Sequence, residues 1–217
     1  MTDITLPPFD VVVTREVRWF APGQVPRGVL EWFTTGAPDI ILEYRTDWYD
    51  AEFALDGVGM KRRGTATIDA NFPVLAIDHV DLAPGMAGRV EDWMKTSTPI
   101  AVSTRKRDRH HLRIEKDIVT RRYVDVVPGA ADAGCDAELA RIAVDGEPAW
   151  TLCFETFGPP ELRLAAFDAG IRAFVADTPV PEWLEFTAVD SCGYPAWIGR
   201  RQAPSPVLAE AEHAGFS

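Results

Sequence analysis

Several short segments of this chain place charged side chains on alternate residues, and that alternation constrains the fold more than any other feature. They are Thr14-Arg15-Glu16-Val17-Arg18, Lys61-Arg62-Arg63, Arg105-Lys106-Arg107, Ala137-Glu138-Leu139 and Phe154-Glu155-Thr156. Residues two apart on a strand point to the same face. Glu16 therefore projects with Arg18, Lys61 with Arg63, and Arg105 with Arg107. Cations and carboxylates gathered on strand faces point to an anion site, with or without a metal.

Bulk charge cannot supply that site. The 217 residues carry 22 Lys and Arg against 33 Asp and Glu, a net charge of −11. This argues against non-specific affinity for DNA, RNA or an anionic membrane. An anion must instead be met by a local basic pocket. A hydrophobic share of 47% and a charged share of 25% are ordinary for a soluble globular protein. The length suits one large domain or two small ones. Cys135, Cys153 and Cys192 are widely spaced and form no C-x-x-C pattern, so they read as small buried hydrophobes. The start Met1-Thr2-Asp3-Ile4-Thr5-Leu6-Pro7-Pro8 lacks the basic and apolar parts of a signal peptide. No apolar run reaches the roughly 20 residues that span a bilayer. The expected location is cytoplasmic.

Strand-like alternation predicts strands over 10–20, 40–50, 51–63, 65–72, 100–107, 109–115 and 118–127. The clearest hairpin joins 135–144 to 149–157 across Asp145-Gly146, a favourable turn pair. Apolar residues at helical spacing predict helices over 26–35 and 161–176, with Pro179 and Pro181 blocking extension of the second. A shorter helix is expected over 90–95, around Trp93. The pattern suggests an α+β protein built on a closed or nearly closed antiparallel β-barrel of about eight strands, with helices packed outside. A single barrel domain over 1–200 and a polar tail over 201–217 are expected.

The order of the charged strands resembles the CYTH superfamily, the triphosphate tunnel metalloenzymes. Thr14-Arg15-Glu16-Val17-Arg18 resembles that family's opening E-x-E-x-K strand, keeping the second Glu, with Arg for Lys and Thr14 for the first Glu. Gly59-Met60-Lys61-Arg62-Arg63 resembles its K-x-R strand, and the stretch from Val90 to Lys95 its Trp/Lys segment. Arg105-Lys106-Arg107 resembles its next basic strand. The segments around Glu138 and Glu155 resemble its carboxylate hairpin. A further E-x-K is replaced by Thr67-Ile68-Asp69. The resemblance covers most of residues 10–198. It implies a barrel whose lumen holds a phosphorylated small molecule on basic side chains and a divalent metal, Mg²⁺ or Mn²⁺, on glutamates.

On that resemblance Arg18, Lys61, Arg63, Lys95, Arg105, Arg107 and Arg121 are the expected substrate-binding residues. Glu16, Glu138 and Glu155 are the expected catalytic and metal-binding residues. Arginine suits bidentate phosphate contact and lysine acts as a compact charge, whereas Mg²⁺ and Mn²⁺ prefer carboxylate oxygen. Two alternatives stay open for these residues. The cations can instead lie on a solvated sheet face, and each glutamate can pair with a lumen arginine and leave no metal site. The expected activity is hydrolysis of a phosphoanhydride. The rival readings are a repurposed barrel enzyme acting on a non-phosphate substrate and a non-catalytic phospholigand-binding module. His110 and His111, adjacent on a strand, point to opposite faces and cannot chelate one metal together. The loop around Gly85 and Gly88 lacks the context of a P-loop, and no serine lies in a G-x-S-x-G motif.

Overall fold

A computed structural model of the chain describes residues 10–37, 39–63, 67–99 and 111–202. The first half runs β1 (Asp10–Pro22), α1 (Arg27–Thr34), β2 (Ile41–Asp50), α2 (Ala51–Leu55), β3 (Gly59–Arg63), β4 (Thr67–Ala83) and β5 (Met86–Pro99). The second half runs β6 (His111–Val124), β7 (Gly134–Val144), β8 (Glu147–Phe157), α3 (Arg163–Asp177) and α4 (Tyr194–Gln202). The strands form one ring, β1-β5-β4-β3-β2-β6-β7-β8, and β8 pairs back onto β1. All pairings are antiparallel. The ring is closed, and the expected eight-stranded α+β barrel is present.

Local chemistry explains several boundaries. The β7–β8 hairpin turns on Asp145 and Gly146, both at positive φ (50° and 91°), the backbone state that two-residue hairpins require. Pro26 precedes the first turn of α1, where its missing N–H costs nothing. Two segments differ from the sequence expectation. Residues 51–63 are not one strand, because the Asp50 carboxylate accepts a bond from the Glu52 N–H and caps the short helix α2. Gly57, at φ 76°, then turns the chain into β3. Residues 90–95 are strand rather than helix, since β5 is paired along both edges by β1 and β4, and tertiary pairing overrides local propensity. The separate strands expected over 109–115 and 118–127 are one strand, β6.

Register decides which side chains face inward. Glu16 lies opposite Glu155, Lys61 opposite both Tyr49 and Asp69, Arg45 opposite Lys116, and Arg122 opposite Asp136. The alternate residues of these strands face outward. Val17, Trp19, Leu139, Leu152 and Phe154 there form a core with Val29, Trp32 and Phe33 of α1 and Phe167, Ile171 and Phe174 of α3. Each such large apolar side chain contributes about 1.5–3 kcal/mol when fully buried. Gly170 permits α3 to sit this close, because a Cβ there would meet Cys135 Cβ at 2.2 Å. Cys135, Cys153 and Cys192 are all free and buried.

A second core fills one end of the barrel. Inward-facing Phe20, Ile114, Ile118, Ile142 and Ala149 pack with Tyr194, Trp197 and Ile198 of α4 and Ala54 of α2. Phe20 and Trp197 stack with ring centroids 4.5 Å apart. The apolar face of α4 thus closes that end and forms the floor of the lumen above it. No helix among the described residues is long and apolar enough to cross a membrane.

Candidate ligand-binding lumen

Above this floor the barrel encloses a cavity of about 500 Å³. Its charge is divided between walls. Glu16 of β1, Asp136 and Glu138 of β7 and Glu155 of β8 line one side. Arg45 of β2, Lys61 and Arg63 of β3, and Lys116 and Arg122 of β6 line the other. Tyr194 and Pro195 form the floor. The division is not absolute, since Arg18 and Lys95 stand among the carboxylates and Glu43 and Asp69 among the cations.

Two cations neutralise most of the acidic wall. Lys95 Nζ lies 2.9 Å from Glu16 Oε2 and 2.7 Å from Glu155 Oε1 and donates to both. Burial opposes charge on this amine, but Glu155 and Glu16 outweigh it and hold its pKa above the ordinary lysine value. Burial likewise opposes charge on Glu16, yet Lys95 and Arg18 keep its carboxyl below the usual range. Arg18 donates to Glu138 at 2.9 Å. Despite burial, Arg18 and Arg45 bring the Glu138 carboxyl down to about 2. Arg18 Nε and the Tyr194 hydroxyl are buried without a hydrogen-bond partner among the described residues.

The basic wall is built around a buried ion pair. Lys116 Nζ lies 2.8 Å from Asp47 Oδ2 and 3.1 Å from the Tyr49 hydroxyl, and 4.0 Å from the centroid of the Tyr194 ring. Burial pushes the Lys116 pKa well down, with Lys61 adding repulsion and Asp47 opposing it. Burial also works against the Asp47 carboxylate, but Lys116, Lys61 and Arg45 hold it at about 2. Lys61 has no hydrogen-bond partner among the described residues; Asp69 Oδ2 lies 4.0 Å away and is met at 3.0 Å by Arg63. Burial lowers the Lys61 amine to about 8, with Asp47 opposing and Arg63 and Arg45 assisting.

The lumen therefore brings together Glu16, Arg18, Lys61, Arg63, Lys95, Glu138 and Glu155 of the residues expected from sequence. Arg105 and Arg107 lie outside the described residues. Arg121 does not face the cavity. It is buried on the outer side of β6, where it donates to the Phe33 carbonyl and the Thr178 hydroxyl and lies 3.5 Å from Asp177. Its neighbour Arg122 faces inward instead. In an Arg-Arg pair, a one-residue choice of register exchanges the two faces. Arg45, Asp47, Tyr49, Lys116 and Tyr194 were missed. The signal for three of them was present in Glu43-Tyr44-Arg45-Thr46-Asp47-Trp48-Tyr49, which alternates polar inward positions along β2. Asp69, at the substituted E-x-K position, faces inward and accepts from Ser97.

The residues expected to hold a metal meet it unevenly. One ligand atom each from Glu16, Cys153 and Glu155 lie within 4.8 Å of one another. Hard divalent ions prefer oxygen, and burial raises the Cys153 thiol pKa well above its ordinary value, so the thiol stays protonated. The two carboxylates share Lys95, while Glu138 is engaged by Arg18. Thr14, in place of a further carboxylate, is buried with its hydroxyl unpartnered among the described residues. The donor set fits a cation already supplied by the chain better than an added hard metal ion.

No protein-family model matches this sequence, and no curated protein does. Among solved structures it is similar to the S. pombe Pct1 RNA triphosphatase in complex with the Spt5 CTD. The likeness is at 10% identity and a TM-score of 0.40, over 94% of this chain and 84% of that one. A likeness this distant carries no functional weight. The barrel stands on its own closed ring of strands.

Proposed function

We propose that the lumen binds a phosphorylated small molecule, with the phosphate held on the wall formed by β2, β3 and β6. The observation that carries this reading is the convergence of Arg45, Lys61, Arg63 and Lys116 on one side of the cavity, where they outnumber the carboxylates Glu43 and Asp69. Arg18 Nε and the Tyr194 hydroxyl, both buried and without a hydrogen-bond partner among the described residues, offer further hydrogen bonds at its base. Guanidinium groups meet phosphate oxygens in pairs, and a partly desolvated ammonium adds a compact charge. Arg105 and Arg107 join this set only on the CYTH resemblance. Glu16, Glu138 and Glu155 hold Lys95 and Arg18 in place, so that the acidic wall fixes two cations at the cavity surface.

A second reading, hydrolysis of a phosphoanhydride, is favoured by Lys61. An amine with a pKa of about 8 inside the cavity exchanges its proton near neutral pH. Calorimetry with inorganic tripolyphosphate tests the first reading. Saturable binding is expected, weakened about tenfold to a hundredfold by Lys61→Met or Arg63→Met, the loss of one charge-assisted contact. An absence of saturable heat sinks the proposal. Phosphate release measured in the same samples tests the second, and release no faster than in buffer removes it.

A further inference from the structure

The position between Glu16 and Glu155 is where a divalent ion would have to sit to use both carboxylates, and Lys95 Nζ takes it, with contacts of 2.9 and 2.7 Å. Lys95 reaches this point from β5, the neighbour of β1 in the ring, and Glu155 arrives from β8 on the other side. One ammonium therefore joins the two strands that flank β1. Its three N–H donors match the carboxylate oxygens in the way a metal's coordination positions would, but its reach is fixed by the strand that carries it. Glu138 is withdrawn from the group by Arg18 at 2.9 Å. Cys153, the third potential ligand, offers sulfur where a hard divalent ion prefers oxygen.

We infer that Lys95 is a built-in replacement for a metal ion, and that ligand binding in this lumen is metal-independent. Lys95 is a positioning residue: it neutralises Glu16 and Glu155 and keeps both carboxylates from repelling an anion in the cavity. Removing the ammonium leaves two carboxylates facing one another with no counter-charge, the arrangement a divalent ion binds. The inference rests on the proposed phosphate site only where tripolyphosphate is used, and its first test needs no phosphate.

That test is titration of Mn²⁺ alone into the purified protein, followed by the electron paramagnetic resonance of free Mn²⁺. The wild-type chain is expected to show no saturable site. Lys95→Met is expected to gain one, at least about tenfold tighter than any wild-type binding, which Glu16→Gln in the same variant removes. Lys95→Gln gives the same comparison if the Met variant does not fold. A saturable Mn²⁺ site in the wild-type protein that Glu16→Gln or Glu155→Gln abolishes overturns the inference. So does a folded Lys95 variant that gains no site. In the second test, wild-type affinity for tripolyphosphate is expected to be equal in chelator and in Mg²⁺, and a tenfold dependence on Mg²⁺ counts against the inference. If tripolyphosphate does not bind at all, the function proposed above fails, while the Mn²⁺ result still decides the role of Lys95.

Discussion

Lys116 and Asp47 form an ion pair of 2.8 Å between β6 and β2 with their side chains 2% and 0% exposed. A pair so enclosed is costly to break one-sidedly, because the remaining partner keeps its desolvation penalty without its counter-charge. Asp47→Asn is expected to lower unfolding free energy by about 3–5 kcal/mol in urea titration. The pH sign follows from the depressed carboxyl. Asp47 is held at about 2 against an ordinary 3.8, so its contribution is complete above about pH 4 and is lost as pH falls toward 2. An unchanged urea midpoint in Asp47→Asn would show that the pair is not buried as described.

Lys61 gives a dependence at the other end of the scale. Its amine is lowered from 10.5 to about 8, so between these values the unfolded chain binds more protons and stability rises with pH. At about 1.4 kcal/mol per tenfold change in proton affinity, burying this charge costs about 3 kcal/mol at neutral pH. Lys61→Met is therefore expected to be more stable than wild type at pH 7, with the gap closing between pH 8 and 10.5. Binding of tripolyphosphate should move the opposite way and weaken in wild type as pH rises through 8. A constant gap from pH 7 to 10.5 would contradict the depressed amine.

Arg121 and Arg63 separate stability from binding. Arg121 holds the Phe33 carbonyl and Thr178 together behind β6, so Arg121→Met should cost about 2 kcal/mol of stability and leave tripolyphosphate affinity unchanged. Arg63 is half exposed at the cavity. Arg63→Met should weaken binding while changing stability by less than about 1 kcal/mol. Paired urea and calorimetric measurements check both, and a binding loss in Arg121→Met would contradict its outward position.

Gly170 tests the seat of α3. An alanine methyl there would lie 2.2 Å from Cys135 Cβ, and forcing the two elements apart is expected to cost about 1–3 kcal/mol. The thermal midpoint of Gly170→Ala should fall accordingly, and a rise would mean that α3 does not pack on β7 in this way.

Much of the barrel was legible because period-two alternation survives wherever one face meets a core and the other a lumen. The hairpin at Asp145-Gly146 and the pairs Glu16/Arg18 and Lys61/Arg63 carry that signal directly. Residues 90–95 misled because Glu91, Met94 and Lys95 are good helix formers, and only pairing with β1 and β4 makes them strand. Lys116 and Asp47 were hidden for a different reason. Each looks like an ordinary surface charge, and nothing local announces that ring closure will bury them against each other. Arg121 and Arg122 show the limit of parity, since adjacent identical residues do not say which one turns inward.

With α4 seated across one end of the barrel, the lumen is no through-passage at that end. Whatever part of a molecule goes in first must come out last, and a chain longer than the barrel can only be gripped by its tip. The aromatic face that anchors α4 thus sets the direction of traffic through a fold whose strands alone would leave both ends open.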